Sequence, residues 1–296
     1  MTLLSAWDAQ VSRDVPLAGL TWFGLGGPAR FVASPATPEE LAGLWCGALD
    51  AGLPVKVLGG GANVLISDDG FDGLVVRLDH PSFVSVDFSQ AEDGIVTAAA
   101  GADLMKLSRD CSKRGLAGLE FMAGIPGSAG GAVRMNAGGR FGAFGDSVRS
   151  ADLVSPDGIV RRVSADELGF GYRKSELGHA IVTGVELAVR PDDPDLVYAR
   201  FHEFWDYKRA SQPMADRSAG CIFKNPLGAS AGALIDSAGL KGERRGGACV
   251  SARHANFIVA EHNARAADVI ALIDFVRETV ARRTGIELET EIDIWR

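Results

Sequence analysis

Two glycine-rich stretches are the residues of this chain best suited to do chemistry. The first, VKVLGGGANVLISDDGFDG, covers residues 55–73, and the second, GLEFMAGIPGSAGGAVRMNAGG, covers residues 118–139. Consecutive glycines can expose successive backbone N–H groups and adopt positive φ at little steric cost, which makes a concave nest for an anion such as phosphate. One such cluster is typical of an ordinary surface turn. Two of them, each flanked by apolar strand-like residues, indicate two walls around a diphosphate and therefore a dinucleotide cofactor.

Two shorter glycine motifs are weaker candidates. GLGGPA at residues 24–29 matches the dinucleotide fingerprint, but the fingerprint needs a helix to begin inside the glycines, and residues 30–32 look extended. GASAG at residues 228–232 matches the nucleophile elbow of serine hydrolases, centred on Ser230. An elbow needs a buried strand before it, whereas residues 224–227 predict a turn. We expect Ser230 to begin a helix, and a serine hydrolase stays a rival interpretation.

Composition and charge exclude several classes of protein. The chain has 296 residues, 47% hydrophobic and 23% charged, which is the profile of a globular protein with room for two domains or one large one. Its formal net charge of −8 argues against a nucleic acid or an anionic membrane as a partner. No apolar run approaches the roughly 20 residues of a membrane span. The N-terminus lacks a basic segment and reaches Asp8 too soon for a signal peptide.

Histidine and cysteine spacing gives no sign of a metal site or a disulfide framework. The five histidines are far apart in sequence and lack metal-ligand spacing: His80, His179, His202, His254 and His262. The four cysteines form no CxxC pair: Cys46, Cys111, Cys221 and Cys249. We therefore expect no bound metal, free thiols and a reducing, cytoplasmic compartment.

The glycine stretches lie between predicted helices and strands. A helix is expected over residues 37–53, with Thr37 as its N-cap, Pro38 in its first turn and Glu40 completing a capping box. The other predicted helices cover residues 103–114, 196–210 and 266–284. The predicted strands cover residues 55–58, 74–78, 83–88, 95–100, 147–155, 159–163, 180–190 and 286–295. Residues 191–195 read as a linker to a second domain.

The order of the motifs along the chain points to one family. In order these are LGGGANVL (58–65), DGFDGLV (69–75), the second glycine stretch, FGYRKS (170–175), SAGCIFKNP (218–226), AGLKG (238–242), HANFIV (254–259) and LETEI (288–292). Their combination resembles the UDP-N-acetylenolpyruvoylglucosamine reductase family, also called UDP-N-acetylmuramate dehydrogenase or MurB. The resemblance covers about residues 21–294. Without the tyrosine loop of some members, the chain is similar to the shorter subtype.

The resemblance implies a fold, a cofactor and a reaction. The fold is α+β, with a two-lobed FAD-binding domain of the vanillyl-alcohol-oxidase (PCMH) type at residues 1–191 (lobes about 1–81 and 82–191) and a smaller α+β substrate domain at residues 192–296. The cofactor is non-covalent FAD, and NADPH is the co-substrate. The reaction is reduction of UDP-N-acetylglucosamine enolpyruvate to UDP-N-acetylmuramate in peptidoglycan synthesis, so the partner is a UDP-sugar.

The glycine stretches then become the FAD contacts. The first supplies Gly59, Gly60, Gly61, Ala62, Asn63 and Val64. The second supplies Gly124, Ile125, Pro126, Gly127, Ser128, Gly131, Asn136, Ala137 and Gly138. Ala62 departs from the family, in which Ser is common, and this removes one possible phosphate hydrogen bond.

Catalytic roles follow from the same resemblance. Arg173 of the YR-x-S motif is expected to pair with the substrate carboxylate, where a two-pronged guanidinium gains interaction as charge builds up. Glu291 is expected to assist at the enol, with Glu289 as the alternative carboxylate. Cys221 stands where the family usually has Ser, and a thiol, with an ordinary pKa of about 8.5, is a stronger acid than an alcohol and can deliver the proton. The expected UDP contacts are Arg209, Lys224 and Asn225.

Three rival functions remain open on sequence alone. One is another FAD-dependent oxidoreductase of the same superfamily, acting on an alcohol or a sugar. The second is the serine hydrolase that would use Ser230. The third is a non-catalytic nucleotide-sugar binding protein. The sequence also leaves open the preference for NADPH over NADH. It does not fix the oligomeric state, and a monomer is compatible with it.

Overall fold

Seven α-helices lie in residues 11–296, the part of the chain that this computed structural model describes. They are α1 (Pro38–Asp50), α2 (Pro81–Val84), α3 (Leu104–Lys113), α4 (Ala129–Arg134), α5 (Pro194–Ser211), α6 (Ala231–Ser237) and α7 (Ala266–Thr284). Within the described range, none is long and apolar enough to cross a membrane. Residues 1–10, which carry most of the argument about a signal peptide, lie outside the described residues.

The strands are short, and most pair antiparallel. The first nine are β1 (Val11–Pro16), β2 (Pro28–Ala33), β3 (Val55–Val57), β4 (Val64–Ile66), β5 (Phe71–Val76), β6 (Val86–Asp87), β7 (Ile95–Ala99), β8 (Leu116–Ala117) and β9 (Gly138–Gly139). The others are β10 (Gly142–Ala143), β11 (Val148–Val154), β12 (Val160–Ser164), β13 (Ile181–Ala188), β14 (Arg190–Pro191), β15 (Arg244–Arg245), β16 (Ala248–Val250), β17 (Ile258–Ala260) and β18 (Asp293–Trp295).

The chain forms two compact units. Unit 1 comprises Phe31–Gly60 and Asp72–Tyr207, with the described part of Met1–Arg13. Unit 2 comprises Asp14–Arg30, Gly61–Phe71 and Lys208–Arg296. Each unit has its own hydrophobic core of buried side chains, as an independently packed body requires.

Sheets organise both units. In unit 1, a five-stranded antiparallel sheet has the order β12-β11-β13-β7-β6. A further sheet of four strands has the order β1-β2-β5-β3; its parallel pair of β3 and β5 places Val55 opposite Leu74, both in unit 1. In unit 2, β15-β16-β17 form an antiparallel sheet and β4 pairs in parallel with β18.

The predicted helix starts are confirmed where capping chemistry is local. Thr37 accepts from the Glu40 amide at 3.2 Å at the start of α1. In a capping box the Glu40 carboxylate would accept from the amide of the cap, Thr37. Here it accepts instead from the amide of Ala36, the residue before the cap, at 2.7 Å. Asp103 caps α3 in the same way, accepting from Lys106 at 2.7 Å. Capping thus positions α3, the helix that precedes the second glycine stretch.

Two predicted strands are wrong in most of their length. In residues 83–88 only Val86–Asp87 is a strand, because Pro81 presets the first turn of α2 and His80 caps it. In residues 286–295 only Asp293–Trp295 is a strand; before it Thr290 makes a single bridge to Phe223. Strands need a continuous partner, which neither segment has.

Candidate active site

The first glycine cluster follows the end of strand β3. The Leu58 amide donates to the carbonyl of Val76 on β5 at 2.9 Å, which continues the parallel pairing. Pairing stops there, and Gly59 and Gly60 are exposed. Their amides donate to no main-chain carbonyl in the described range 11–296. Two successive free N–H groups at a glycine turn are what an anion nest requires.

The second cluster is anchored to the connection between β7 and α3. The carbonyl of Gly127 accepts from Leu104 at 3.0 Å, and the amides of Ala129 and Gly130 donate to Ala102 at 2.9 Å and Ala100 at 2.7 Å. Gly127 has φ +124°, a conformation that L residues rarely adopt. The loop is therefore held in a shape that depends on glycine.

The structure brings the two clusters together inside unit 1. A Cβ added at Gly60 would lie 2.8 Å from the Cα of Gly127, and one added at Gly59 would lie 2.5 Å from the Oγ of Ser128. The two loops touch through their main chains, which only glycine permits at Gly60. Two glycine loops in contact, one with free amides, fit the diphosphate of a dinucleotide.

The next part of the first stretch, Gly61–Phe71, belongs to unit 2. Gly61 has φ +64°, and a Cβ there would overlap the Leu20 carbonyl. After it, the Asn63 side chain donates to the carbonyl of Glu291 at 3.2 Å, and the Asn63 carbonyl accepts from Asp293 at 3.0 Å. Ala62 and Val64 flank this contact. The stretch predicted to bind FAD also fixes the C-terminal chain that carries Glu291.

Arg173 is held at the tip of a tight turn. Gly171 and Lys174 bond to one another across the turn at 3.0 and 3.3 Å. Arg173 itself has φ +56°, a strained conformation for a non-glycine residue of the kind found at functional sites. Its Nη2 donates to the carbonyl of Gly138, at the end of the second glycine stretch, at 2.8 Å. The guanidinium is therefore placed beside a predicted FAD-contacting segment of unit 1.

Asn136, predicted as a cofactor contact, joins loops of unit 1. Its Nδ2 donates to Gly171 at 3.0 Å, and its Oδ1 accepts from Gly145 at 2.9 Å. It is buried and has φ +44°. Through its bond to Gly171, Asn136 supports the turn that carries Arg173. The sequence did not predict this structural contribution of Asn136.

Cys221 precedes a tightly bonded main-chain segment of unit 2. Cys221 bridges to Phe257, and Phe223 bridges to Thr290. The amide of Glu291 donates to the carbonyl of Ile222 at 2.7 Å. The main chain of Glu291 is thus bonded to the residue next to Cys221, so both predicted groups lie in one bonded segment.

The two candidate carboxylates differ in their exposure to solvent. The Glu289 carboxylate accepts a hydrogen bond from the Lys224 ammonium in an ion pair, and its side chain is 72% exposed. Glu291 is less exposed. An exposed, ion-paired carboxylate is poorly placed to handle a proton in a desolvated site, so the geometry favours Glu291.

The predicted UDP contacts all lie in unit 2. Besides pairing with Glu289, Lys224 donates its amide to the Glu289 carbonyl at 2.9 Å. Asn225 accepts from the Ala231 amide at 3.0 Å and so holds the start of α6. Arg209 is exposed, and its carbonyl accepts from Arg253 at 3.3 Å.

The rejected motifs have structural explanations. Ser230 caps α6, accepting from Ala233 at 3.3 Å, and no strand precedes it. A nucleophile elbow is therefore absent at this position. In GLGGPA no helix begins, because Pro28–Ala33 is a strand. A Cβ at Gly27 would lie 2.3 Å from the Asp68 carbonyl, so this glycine permits close packing.

Two of the other thiols have raised pKa values. Cys111 is fully buried on α3, and burial raises the pKa of its thiol to about 12. Burial also raises the pKa of Cys249. In residues 11–296 no three His, Cys, Asp or Glu side chains come together as a metal-binding group.

Two family models and a curated relative match this chain. A model described as an FAD binding domain matches residues 29–164. A model described as UDP-N-acetylenolpyruvoylglucosamine reductase, C-terminal domain, matches residues 212–295. The UDP-N-acetylenolpyruvoylglucosamine reductase 2 of Symbiobacterium thermophilum is 42% identical over 290 residues, or 97% of this chain and 92% of the relative. This chain belongs to the UDP-N-acetylenolpyruvoylglucosamine reductase family. The resemblance stated from the motifs is confirmed, and so is FAD as the cofactor.

Solved structures agree with membership of the UDP-N-acetylenolpyruvoylglucosamine reductase family. The crystal structure of the enzyme from Thermus caldophilus has a TM-score of 0.84 at 38% identity, covering 97% of this chain and 99% of that chain. Wild-type Phl p 4.0202, a glucose dehydrogenase, has a TM-score of 0.52 at 16% identity, covering 65% of this chain and 44% of that chain, and is similar in fold alone. The predicted fold class, with an FAD-binding domain of the PCMH type, is confirmed.

One residue bonded to the predicted site was missed from the sequence. Asn256, in the HANFIV motif, makes three hydrogen bonds to the segment after Cys221. A polar residue inside a short apolar run was the available signal, because a buried amide needs partners.

Proposed function

We propose that this chain catalyses the NADPH-dependent, FAD-mediated reduction of UDP-N-acetylglucosamine enolpyruvate to UDP-N-acetylmuramate, a reaction of peptidoglycan synthesis. The observation that carries the proposal is the contact between Gly60 and Gly127, which joins two glycine loops of a family member into one cradle. We assign FAD binding to residues 1–191 and substrate binding to residues 192–296, and we propose a cytoplasmic location, in keeping with the free cysteines.

The glycine loops hold the diphosphate of FAD. The free amides of Gly59 and Gly60 supply donors, and Gly127 leaves the space that a bulky ligand needs. The chemistry that FAD supplies when bound is hydride transfer, first from NADPH and then to the terminal carbon of the enolpyruvyl group.

Arg173 binds the substrate carboxylate. Hydride addition at the terminal alkene carbon leaves negative charge on the adjacent carbon and its carboxylate. A guanidinium bonded to that carboxylate stabilises this charge more than it stabilises the ground state. The strained turn and the hydrogen bond to Gly138 support this role because they fix the guanidinium in advance.

Cys221 delivers the proton that completes the lactyl ether. Its S–H bond breaks as a C–H bond forms at the carbon next to the carboxylate, and the thiolate regains a proton from solvent. Glu291 polarises the enol and assists this transfer. Arg209, Lys224 and Asn225 bind the UDP group, for which the cationic and amide side chains are suited.

Spectroscopy tests the proposal directly. The purified protein should be yellow, release free FAD on acid precipitation and lose its flavin absorption when NADPH is added without air. UDP-N-acetylglucosamine enolpyruvate should then restore the absorption and give a product heavier by two hydrogens. A colourless protein that FAD cannot reconstitute would defeat the proposal, and flavin reduction without reoxidation by this substrate would favour another oxidoreductase.

A further inference from the structure

Asn256 bonds to the residues next to Cys221 from the far side of the segment. Its side chain is 3% exposed. Its Oδ1 accepts from the amide of Phe223 at 2.9 Å, and its Nδ2 donates to the carbonyl of Phe223 at 2.7 Å. Its own carbonyl accepts from the amide of Ile222 at 2.8 Å. Three hydrogen bonds thus run from one buried residue to two consecutive residues.

These bonds complete the main-chain hydrogen bonding of the segment. Ile222 and Phe223 offer two amides and two carbonyls; Asn256 bonds three of them, and the Glu291 amide bonds the fourth at 2.7 Å. Buried main-chain groups need such partners. Every main-chain amide and carbonyl of Ile222 and Phe223 is therefore hydrogen-bonded, and a shift of this segment would break at least one of these bonds.

A carboxamide is suited to this position. Phe223 has only an isolated bridge to Thr290 and lies in no regular strand. The planar amide of Asn presents a donor and an acceptor side by side, as the main chain of a neighbouring strand would. The side chain of Asn256 thus replaces a missing strand, and Leu or Asp at this position could not pair with both groups.

Asn256 is itself fixed by its neighbours. Its main-chain amide donates to Nδ1 of His254 at 3.3 Å, and the His254 ring packs edge-on against Phe257. Phe257 in turn bridges to Cys221. The motif HANFIV therefore contacts the segment of Cys221 at three consecutive residues, 221–223.

We propose that Asn256 is a positioning residue that holds the Cys221 thiol where it can protonate the substrate. The inference rests on the proposed function, in which Cys221 is the proton donor. Asn256 touches neither substrate nor cofactor in this role. It acts by fixing the main chain that directly follows Cys221.

Asn256→Asp is the primary test variant. The carboxylate keeps an acceptor for the Phe223 amide but places a second oxygen against the Phe223 carbonyl, where a donor is needed. In stopped-flow experiments on the holoenzyme, reduction of the flavin by NADPH should stay at the wild-type rate. Reoxidation by UDP-N-acetylglucosamine enolpyruvate should slow by about 10-fold or more, which is part of the roughly 10²- to 10⁴-fold that a general acid contributes.

A double-mutant cycle separates positioning from a structural role. In the Cys221→Ala background the same Asn256→Asp change should slow reoxidation by less than about twofold, because its effect passes through the thiol. Equal slowing in both backgrounds would overturn the proposal. Thr279→Val is the matched control, since Thr279 is buried on α7 and its hydroxyl has no hydrogen-bond partner in the described range. It should leave both half-reactions unchanged.

A second readout does not depend on turnover. Iodoacetamide labelling followed by mass spectrometry should show severalfold faster alkylation of Cys221 in the folded Asn256 variant, with Cys46 in unit 1 unchanged as the internal reference. An unchanged rate at Cys221 would contradict the proposal.

If the carboxylate of Asn256→Asp prevents folding, Asn256→Ser replaces it. This variant removes the donor–acceptor pair without burying a charge, and it is measured in the same double-mutant cycle. Failure of NADPH to reduce the wild-type flavin would instead defeat the proposed function.

Discussion

Asn63 donates a hydrogen bond from its side-chain Nδ2 to the main-chain carbonyl of Glu291 at 3.2 Å. The carbonyl of Asn63 accepts from Asp293 at 3.0 Å, and from there β4 and β18 pair in parallel. The chain that carries the proposed carboxylate is therefore fixed to the end of the glycine cluster GGGAN. Asn63 thus belongs to a predicted FAD-contacting stretch and also fixes the main chain of Glu291, the proposed carboxylate, in unit 2.

Gly60→Ala should weaken FAD binding. The new Cβ would lie 2.8 Å from the Cα of Gly127, and neither atom can rotate away because the backbone fixes the positions of both. We expect the dissociation constant of FAD to rise about 10-fold or more, because overpacking of this kind costs more than 1 kcal/mol. Fluorescence titration of the apoprotein with FAD measures it. Gly47→Ala on α1 is the control, because open space surrounds it; its FAD affinity should not change. An unchanged FAD affinity in Gly60→Ala would contradict the proposal that the two glycine loops bind FAD.

Arg173→Lys should slow the reaction with the enolpyruvyl substrate. A lysine cannot reproduce the two-pronged bond to a carboxylate, nor reach the Gly138 carbonyl with the same geometry. Reoxidation of the reduced flavin should slow by about 10- to 100-fold, the loss of one charge-assisted hydrogen bond. Stopped-flow absorbance checks this, and reduction by NADPH should survive. The exposed neighbour Lys174→Gln serves as a control. Collapse of flavin reduction with normal reoxidation would show that Arg173 has another role.

Cys221→Ala should leave flavin reduction intact and slow product formation by about 10²- to 10⁴-fold, the usual contribution of a general acid. Cys221→Ser should keep substantial activity because a hydroxyl is the usual group at this position in the family. The wild-type rate should fall at alkaline pH as the thiol loses its proton, and the Ser variant should lose this fall. Rapid-mixing kinetics of all three proteins across pH provide the test. Equal rates for the wild type and the Ala variant would assign protonation to Glu291 or to water.

Glu291→Gln should slow reoxidation, whereas Glu289→Gln should leave it close to the wild-type rate. The two residues are two positions apart, but the Glu289 carboxylate is exposed and paired with Lys224. Such a pair contributes little to stability, so its removal also makes a matched control. The effect at Glu291 should reach about 10²-fold, as for assisted proton transfer. The reverse ranking of the two variants would identify Glu289 as the catalytic carboxylate.

Stability should fall on mild acidification through His254. Burial, assisted by the positive charge of Lys241, lowers the pKa of His254 from its ordinary value of 6.5. Below pH 6.5 the unfolded chain therefore binds a proton that the folded protein does not, and the free energy of unfolding decreases until the pH passes the lowered pKa. Urea unfolding between about pH 7 and 5 should show this slope, and His254→Gln should reduce it. Equal slopes in both proteins would contradict the prediction.

The sequence by itself determined the local features of this protein. Thr37 and Asp103 marked helix starts because a cap depends on side chains within three residues. The glycine clusters predicted anion-binding loops because positive φ and bare main chain are properties of single residues. The ordered motifs identified the family, and with it FAD and the fold class.

Tertiary structure decided which of these features meet. That Gly60 rests on Gly127, that Arg173 takes φ +56° beside Gly138, and that the Asn256 amide replaces a strand for Phe223 all depend on pairs far apart in sequence. The strand predicted over residues 286–295 failed for the same reason, whereas residues 83–88 also have a local cause, because His80 and Pro81 begin helix α2 there. A strand or a buried hydrogen bond exists only where a distant partner is placed opposite it, and hydrophobic pattern alone does not specify that partner.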